Sequence, residues 1–362
     1  MKVALLGTRG APARYGGFET AVEEIGTGLV ERGHEVTVYC RGASKNGGYY
    51  RGMRRVVLPA IHRKALETFS HSAMSTVHAL MHRPDVAIVF NAANAPFVLL
   101  LRLAGIRTIL NIDGHDARRP KWNGFGKRYY RLATWAGLRL AGVVVVDSAA
   151  VQSELHAEFG GSSVWIPYGA STSISSVSET QAALTPAGLT AGGFHLLVAR
   201  FEPENQVLEI VQSYAASDCA LPLVVVGFAG FPSEYEAAIN DVSDPRLIRL
   251  GALWDQRLLD ALFAGCASYV HGHSMGGTNP SLLRAMVNGA PVIAFDCSYN
   301  RETTAGHAIW LEQARDAGKQ MAEVEGDRVS ATSVGSRLAA RARSAYIWAE
   351  VVESYEQLFT SP

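Results

Sequence analysis

At 362 residues, the chain is long enough for two domains of ordinary size. Apolar residues make up 48% of it and charged residues 18%, which supplies a large core and excludes wholesale disorder. Cys40, Cys219, Cys266 and Cys297 lie far apart and match no CxxC pattern, so we expect reduced thiols in a cytoplasmic protein and no structural metal site. The opening MKVALLGTRG indicates a first β-strand rather than a signal peptide, and no window of about 18 uncharged apolar residues predicts a membrane span.

The net charge of zero conceals an asymmetry between the two halves of the chain. Residues 1–150 hold 21 Lys and Arg against 10 Asp and Glu, a balance of +11. The remainder holds 12 (33 − 21) against 23 (33 − 10), a balance of −11. The first half is therefore expected to face an anionic partner. Because no nucleic-acid-binding motif is present, an anionic lipid surface or a phosphorylated acceptor is preferred over nucleic acid.

The chain opens with the pattern of a doubly wound α/β protein. Strand patterns at residues 2–7 and 34–41 flank an amphipathic helix pattern at residues 21–33. The intervening loop, GTRGAPARYGGFET, is not the GxGxxG fingerprint of a dinucleotide site, which disfavours a dehydrogenase. Its Gly16-Gly17 pair could let the backbone approach a phosphate, and a flexible surface loop is the alternative.

Polar residues follow two further buried-strand patterns, PDVAIVFNAAN and TILNIDGHD. Ligands in open α/β sheets bind outside the carboxyl ends of strands, so these residues favour a site over a set of turn and cap residues. They are Asn91, Asn94, Asp113, His115 and Asp116.

Two basic segments lie in the same half. RGMRRVVLPAIHRK has the pattern of a solvated face more than that of a specific site. ARRPKWNGFGKRYYR combines six basic residues with Trp and Tyr, as an interfacial surface does.

The second half begins after a linker candidate, residues 171–192, rich in Ser, Thr, Ala and Gly. Alternating strand and helix patterns then lead to HGHSMGGTNPSLLRAM, in which Asn279 can cap a helix and Pro280 suits its first turn. A glycine-rich loop entering a helix offers backbone N–H groups and a positive dipole end to a diphosphate; an ordinary βαβ turn is the alternative. Residues 336–359 predict one long C-terminal helix.

Five motifs occur in an order that resembles a known family. They are GTRGAPARYGGFET, NIDG with RRPKW, PYGA, ARFEPEN and HGHSMGGTNPSLLRAM. They resemble the retaining family 4 glycosyltransferases of the GT-B fold, in the bacterial rhamnosyltransferase-type branch. The resemblance implies two Rossmann-like domains facing a central cleft, residues 1–170 for the acceptor and residues 193–340 for the nucleotide-sugar donor. Residues 171–192 would link them, and a C-terminal helix, residues 341–362, would cross back to the N-terminal domain.

The resemblance also implies residue roles. Arg200 matches the arginine that neutralises the donor diphosphate, Asp113 stands where the wider family has a catalytic histidine, and Tyr168 belongs to the YGA motif near the reacting sugar. The expected catalytic residues are Asp113, His115 and Tyr168. The expected donor-binding residues are Gly16, Gly17, Arg200, Asn205, Gly277, Thr278, Asn279, Ser281 and Arg284. The residues expected at the acceptor or the membrane are Arg9, Arg118, Arg119, Lys121 and Trp122.

Three positions depart from the pattern of the wider family. Gly276 replaces a glutamate that this branch commonly lacks, and Asn205 replaces a lysine. Arg284 stands where a second glutamate usually holds the donor ribose, and a guanidinium can only donate hydrogen bonds. Arg284 is therefore expected either to point into the site and replace the charge lost at Asn205, or to turn outward as a surface arginine.

The resulting expectation is a cytoplasmic glycosyltransferase without metal or other cofactor, peripheral on the inner face of the membrane. It would move a 6-deoxyhexose, rhamnose above all, from a dTDP- or UDP-linked donor to a hydroxyl of a lipid-linked or phosphorylated sugar. One rival is a degenerate nucleotide-sugar-binding protein, which Arg284 favours. The other is a nucleotide-sugar 2-epimerase of the same fold, which would need no acceptor.

Overall fold

The computed structural model describes residues 1–13, 17–42, 47–61, 66–114, 124–172, 176–230 and 232–360. The chain divides into two compact units. Unit 1 comprises Met1–Tyr168 and Trp348–Pro362, and unit 2 comprises Gly169–Ile347.

Unit 1 is built on an eight-stranded sheet. Its strands are β1 (Lys2–Leu6), β2 (Glu35–Arg41), β3 (Gly48–Tyr50), β4 (Met53–Leu58), β5 (Val86–Phe90), β6 (Arg107–Ile112), β7 (Val143–Val146) and β8 (Val164–Trp165). They pair in the order β3-β4-β2-β1-β5-β6-β7-β8, and every pair is parallel apart from β3 with β4. All five residues of β5 are buried, as expected for a parallel sheet covered on both faces.

Helices with one apolar face cover this sheet. They are α1 (Gly17–Glu31), α2 (Leu66–His82), α3 (Ala95–Leu103), α4 (Gly124–Leu140) and α5 (Ala149–Phe159). In α1, the buried apolar residues Ala21, Val22, Ile25 and Leu29 recur at helical spacing. The same face buries Glu19 and Glu23, whose carboxylates reach the loop that precedes the helix.

Unit 2 is built on a six-stranded sheet whose pairs are all parallel. Its strands are β9 (His195–Val198), β10 (Leu223–Val226), β11 (Leu247–Gly251), β12 (Ser268–His271), β13 (Val292–Phe295) and β14 (Ile309–Leu311), in the order β11-β10-β9-β12-β13-β14. Its helices are α6 (Val177–Leu184), α7 (Val207–Ala215), α8 (Glu234–Asp241), α9 (Gln256–Gly265), α10 (Pro280–Val287), α11 (Ser298–Thr304), α12 (Ala317–Gly326) and α13 (Arg328–Ala345). The predicted pair of α/β Rossmann-like halves is confirmed.

The linker candidate, residues 171–192, contains helix α6. Ser176 Oγ caps it by accepting from the backbone N–H of Glu179 at 3.2 Å. A Cβ on Gly265 of α9 would come within 2.6 Å of Leu184, so α6 packs closely against α9. The described part of this segment is therefore folded into unit 2.

The predicted single C-terminal helix is two helices, α13 and α14 (Trp348–Gln357). Tyr346 leaves the helical conformation at φ −126° and ψ 64°, and it ends α13. Its side chain is buried in unit 2, where the hydroxyl donates to the carbonyl O of Thr303 at 3.2 Å. Because this tyrosine is anchored in unit 2, α13 ends here and a separate helix follows.

Helix α14 belongs to unit 1, as predicted for a helix that crosses back. A Cβ on Gly28 of α1 would come within 2.6 Å of Val352, so the two helices are in close contact. Asn111 of β6 donates from Nδ2 to the hydroxyl of Tyr355, and Arg107 Nε donates to the carbonyl O of Leu358 at 2.6 Å.

Among the described residues, none of the helices combines the length and hydropathy that crossing a bilayer requires.

A buried polar cluster lies at the amino end of the unit 2 sheet. His195 Nδ1 is 2.8 Å from Ser268 Oγ, and His195 Nε2 is 3.0 Å from Glu325 Oε1. Burial lowers the pKa of His195 despite the carboxylate beside it. Burial alone would raise the pKa of Glu325, but hydrogen bonds from two backbone N–H groups and from His195 outweigh it and lower that pKa. Cys219 Sγ lies within 4.8 Å of the ligand atoms of both residues, a set that could hold a metal, although hydrogen bonds already engage the imidazole and the carboxylate.

Lowering the pH from about 7 to about 5 should destabilise the protein through its buried histidines. Burial lowers the pKa of His195 and brings that of His271, also fully buried, to about 3. The unfolded chain takes up these protons near pH 6.5, so the unfolding free energy should fall by up to about 1.4 kcal/mol per pH unit for each histidine. Urea unfolding measured across this range tests it, and His271→Gln should show a shallower slope. A flat profile for the wild type contradicts the expectation.

Candidate functional site

Parallel pairing places the carboxyl ends of β1, β5, β6, β7 and β8 at one edge of unit 1. Gly7 follows β1 with φ +93°, and a Cβ there would collide with the carbonyl O of Phe90 and the amide of Asn94. Asn94 is buried and donates from Nδ2 to that carbonyl at 2.7 Å, while Asn91 caps the next turn by accepting from Ala93 N at 2.9 Å. Both predicted strand-end asparagines therefore organise the local backbone.

The loop after β1 is held by carboxylates of α1. Arg9 N donates to Glu19 Oε1 at 3.0 Å, and Ala13 N donates to Glu23 Oε2 at 2.7 Å. Sequence reasoning did not single out either glutamate, although both lie in the first turns of a helix, where carboxylates are favoured.

Arg9, predicted for the acceptor side, takes part in a charged cluster. Its Nη2 lies 3.3 Å from Glu67 Oε2, and the same oxygen lies 3.7 Å from Arg41 Nη1. Two guanidinium groups therefore lie beside this one carboxylate. With 33% of its side chain exposed, Arg9 remains accessible to an anionic group.

Tyr168 follows β8 and is only 2% exposed, and its hydroxyl has no hydrogen-bond partner among the described residues. Burial raises the pKa of this phenol well above its ordinary value, and the negative charges of Asp147 and Asp113 raise it further. The hydroxyl therefore stays protonated at neutral pH, and its donor capacity is not used by any described residue. Asp113 follows β6 and Asp147 follows β7, so the fold brings the two predicted residues Asp113 and Tyr168 to one edge and adds Asp147.

Several predicted positions cannot be placed. Gly17 is the half-buried first residue of α1. The residues that lie outside the described part of the chain are Gly16, His115, Asp116, Arg118, Arg119, Lys121 and Trp122.

In unit 2, two loops at the carboxyl edge of the sheet are tied together. Ser274, after β12, donates from N and from Oγ to the carbonyl O of Glu204 at 3.0 and 2.9 Å. In the loop after β9, buried Asn205 donates from Nδ2 to the carbonyl O of Arg200 at 2.8 Å. Asn205, predicted to bind donor, thus fixes the backbone that carries Arg200, because its short amide reaches that carbonyl. Arg200 itself is half-buried.

A buried tyrosine fixes the start of α10 to the sheet. Tyr269 OH lies 2.9 Å from Ser281 Oγ and 3.4 Å from the carbonyl O of Val198, the last residue of β9. Asn279 Oδ1 accepts from Ser281 N at 2.9 Å, as predicted for the cap, and from Ser281 Oγ at 2.7 Å. The side chains of these two predicted donor-binding residues therefore build the helix start. Half-buried Gly277 and buried Thr278 precede the cap, at the positive end of the helix dipole.

Arg284 is engaged by the neighbouring helix α9. Its Nε lies 2.5 Å from Asp260 Oδ1, its Nη1 donates to Gln256 Oε1 at 2.7 Å, and its Nη2 donates to Gln256 O at 2.8 Å. Asp260 has only 4% of its side chain exposed. Sequence analysis left open whether Arg284 points into the donor site or turns outward as a surface arginine, and it included no ion pair with α9. Sequence reasoning missed it because Asp260 is 24 residues away and belongs to no motif.

Residues 16–169 match the model of a known family, described as a glycosyl transferase 4-like domain. This match covers less than half of the chain. No curated protein matches the sequence.

Solved structures with the same fold cover nearly the whole chain. Sucrose-phosphate synthase from Thermosynechococcus elongatus is 17% identical with a TM-score of 0.83, covering 99% of this chain and 98% of its own. Anabaena HepE in complex with UDP-glucose is 17% identical with a TM-score of 0.79, and WaaG, a glycosyltransferase involved in lipopolysaccharide biosynthesis, is 15% identical with a TM-score of 0.78. Both pairs cover 100% of each chain.

These neighbours show the GT-B fold. The match of residues 16–169 and the fold of the whole chain together define the class of protein: a glycosyltransferase of the GT-B type.

Arg284→Ala should lower the unfolding free energy by about 2–4 kcal/mol, because it leaves the carboxylate of Asp260 buried without its charged partner. Arg284→Glu should cost more, since it sets a second carboxylate against the first. Urea unfolding measures both changes.

The matched control is the double variant Arg284→Met with Asp260→Leu, which replaces the pair by apolar groups and should recover most of the loss. Unchanged stability of Arg284→Ala would show that the pair does not hold α9 and α10 together.

Proposed function

We propose that the protein is a retaining glycosyltransferase that moves rhamnose, or another 6-deoxyhexose, from a dTDP-sugar. The acceptor is a hydroxyl of a lipid-linked or otherwise phosphorylated sugar at the inner face of the membrane. The observation that carries the proposal is the assembly at the carboxyl edge of unit 2. There, Arg200 and the start of α10 are fixed by Asn205 and by the Tyr269–Ser281 hydrogen bond.

A diphosphate suits this assembly because it carries two or more negative charges. Arg200 supplies a permanent positive charge and the start of α10 supplies a helix dipole. HepE and the trehalose-6-phosphate protein from E. coli, both of this fold, are solved with UDP-glucose and UDP-2-fluoro glucose, respectively. By analogy with these two proteins, we take the donor of this chain to be a nucleoside-diphosphate sugar.

The arrangement of Arg284 supports a deoxynucleotide donor. In the family that the sequence resembles, a glutamate at this position accepts hydrogen bonds from the donor ribose. Here the position holds a guanidinium committed to Asp260 and Gln256. The enzyme therefore gains nothing from a second ribose hydroxyl at this point, and a donor built on deoxyribose loses little. Because Arg284 is integrated into the packing of α9 and α10, it is weaker evidence for a degenerate protein than the sequence alone suggests.

In the proposed reaction, the acceptor oxygen forms a bond to the anomeric carbon while the bond from that carbon to the diphosphate oxygen breaks. The acceptor proton passes to the departing diphosphate on the same face of the sugar. Arg200 and the start of α10 stabilise the negative charge that develops on the diphosphate. In unit 1, Asp113 and the protonated Tyr168 orient the sugar, and the partly exposed guanidinium of Arg9 favours an anionic acceptor.

Arg200→Ala should weaken donor binding or turnover at least tenfold, because a charge-assisted contact to phosphate is worth about 1.5–3 kcal/mol. Titration calorimetry with dTDP and steady-state kinetics with dTDP-rhamnose measure the two effects. Arg337→Ala, which removes an exposed arginine from α13 of the same unit, is the matched control and should change neither. Unchanged kinetics in folded Arg200→Ala would remove Arg200 from the site.

Asp113→Asn should reduce turnover by about 100-fold, the usual scale for losing one electrostatic contact to a transition state, with little change in nucleotide affinity. Tyr168→Phe should also lower turnover, yet its melting temperature should not fall, since the deleted hydroxyl has no hydrogen-bond partner among the described residues. If nucleotide affinity collapses in Asp113→Asn, this residue serves donor binding or folding instead. Donor consumption without any acceptor would favour the epimerase.

A further inference from the structure

Helix α4 has one face fitted closely to unit 1. Its buried residues Tyr130, Ala133, Thr134, Gly137 and Leu138 recur at helical spacing. A Cβ on Gly137 would come within 2.6 Å of Leu110 of β6, so the helix lies directly against the sheet. The contacts that hold α4 against unit 1 therefore lie on this face.

The opposite face of α4 carries large apolar side chains in the open. Phe125 is 83% exposed, Leu132 63% and Trp135 42%. Arg128 and Arg139 complete this stripe, at steps of three and four residues, and both are exposed. A regular stripe that alternates apolar and basic residues is not the scatter of single exposed hydrophobics found on an ordinary surface.

The charged residues that α4 itself contributes are all basic. Residues 124–140 contain Lys127, Arg128, Arg131 and Arg139 and no Asp or Glu. Arg131 pairs with Glu158 of α5 at 2.8 Å, and the guanidinium of Arg139 lies 5.4 Å from the ring centroid of Trp135. Neither Lys127 nor Arg128 meets a carboxylate among the residues the structure describes. Their charge is therefore available to a partner.

The end of α3 continues the surface. Arg102 of α3 donates from Nη1 to the carbonyl O of Leu140, which places the last turns of the two helices side by side. Leu100 and Leu103 of this turn are 50% and 77% exposed. Apolar and basic groups are again mixed in one patch.

We propose that the outer face of α4, with the end of α3, docks unit 1 onto an anionic lipid bilayer. Phe125, Leu132 and Trp135 enter the interfacial layer, and Lys127 and Arg128 contact lipid phosphates. A Trp ring at headgroup depth beside Arg and Lys is the side-chain mixture that bilayer interfaces favour. A second copy of this chain fits poorly, because the same basic face would meet itself. Two tyrosines of the same basic segment lie outside this surface: Tyr129 OH donates to Ala93 O at 2.7 Å, and Tyr130 is buried.

The docking surface rests on the proposed function, which supplies the lipid-linked acceptor. Docking through unit 1 keeps the acceptor-binding unit at the membrane, where such an acceptor resides. It also gives the +11 balance of residues 1–150 a definite partner.

The test is vesicle sedimentation of the full-length protein, with phosphatidylcholine vesicles compared with vesicles that also contain phosphatidylglycerol. We expect binding only to the anionic vesicles, weakening as salt is added. Lys127→Gln with Arg128→Gln should lower the affinity roughly 25-fold, about fivefold for each charge. Phe125→Gln with Leu132→Gln should lower it at least roughly tenfold. Quenching of tryptophan fluorescence by brominated lipid should decrease in Trp135→Phe.

The matched control is Val177→Gln with Val329→Gln, which removes apolar side chains that are 80% and 82% exposed on unit 2 and should leave vesicle binding unchanged. The inference is overturned if the protein binds neutral vesicles equally well, or if both α4 variants bind as tightly as the wild type. It is also overturned if the protein self-associates through this face and does not bind lipid. An assay of sugar transfer to a water-soluble acceptor distinguishes the docking surface from the proposed function. If the protein transfers sugar but does not bind vesicles, only the docking surface is wrong. If it binds vesicles but does not turn over the donor, the proposed function is wrong.

Discussion

The parallel pairing of strands is the constraint on which the structure of this protein depends. Apart from β3, every strand of unit 1 and every strand of unit 2 runs in one direction within its sheet. The carboxyl ends therefore converge at a single edge in each unit, where ligands bind in open α/β sheets. In unit 1 this edge gathers Asp113, Asp147 and Tyr168, and in unit 2 it gathers Arg200 with the start of α10. The burial of these loops requires hydrogen bonds for their polar groups, which Asn94, Asn205 and Ser274 provide.

Arg284 shows how a helix at such an edge accommodates a reversal of charge. A guanidinium at a position where the resembled family has a carboxylate needs a compensating anion, and Asp260 supplies it from α9. Asn288 on the last turn of α10 lies 3.4 Å from the same carboxylate through Nδ2, so the pair belongs to a small network. Under the proposed function, the donor loses a hydrogen-bond acceptor at this position and gains no cation, which corresponds to a change of specificity and not to the loss of a site.

Much of the fold was predictable because it rests on local patterns. The buried runs VAIVF and TILNI and the amphipathic pattern of α1 specify strands and a helix from neighbouring residues alone. The Asn279 cap and the turn of Asn91 are equally local. The break between α13 and α14 was not predictable, since it depends on Tyr346 reaching Thr303, 43 residues away. The partners of the site residues follow the same rule: Glu67 for Arg9 and Asp260 for Arg284 are distant in sequence, and no motif contains them. The asymmetry of charge predicts an anionic partner for the first half, but the sequence does not show which residues of α4 are exposed, and the proposed surface depends on that exposure.

The most direct test of the account is the anomeric configuration of the product. NMR spectra of the sugar transferred from dTDP-rhamnose to a lipid-linked acceptor report this configuration through the one-bond carbon–proton coupling at the anomeric centre. A retaining enzyme should form a product with the configuration of the donor, and this product should be lost in Arg200→Ala. An inverted product, or tight binding of the donor with no transfer to any acceptor, would contradict it.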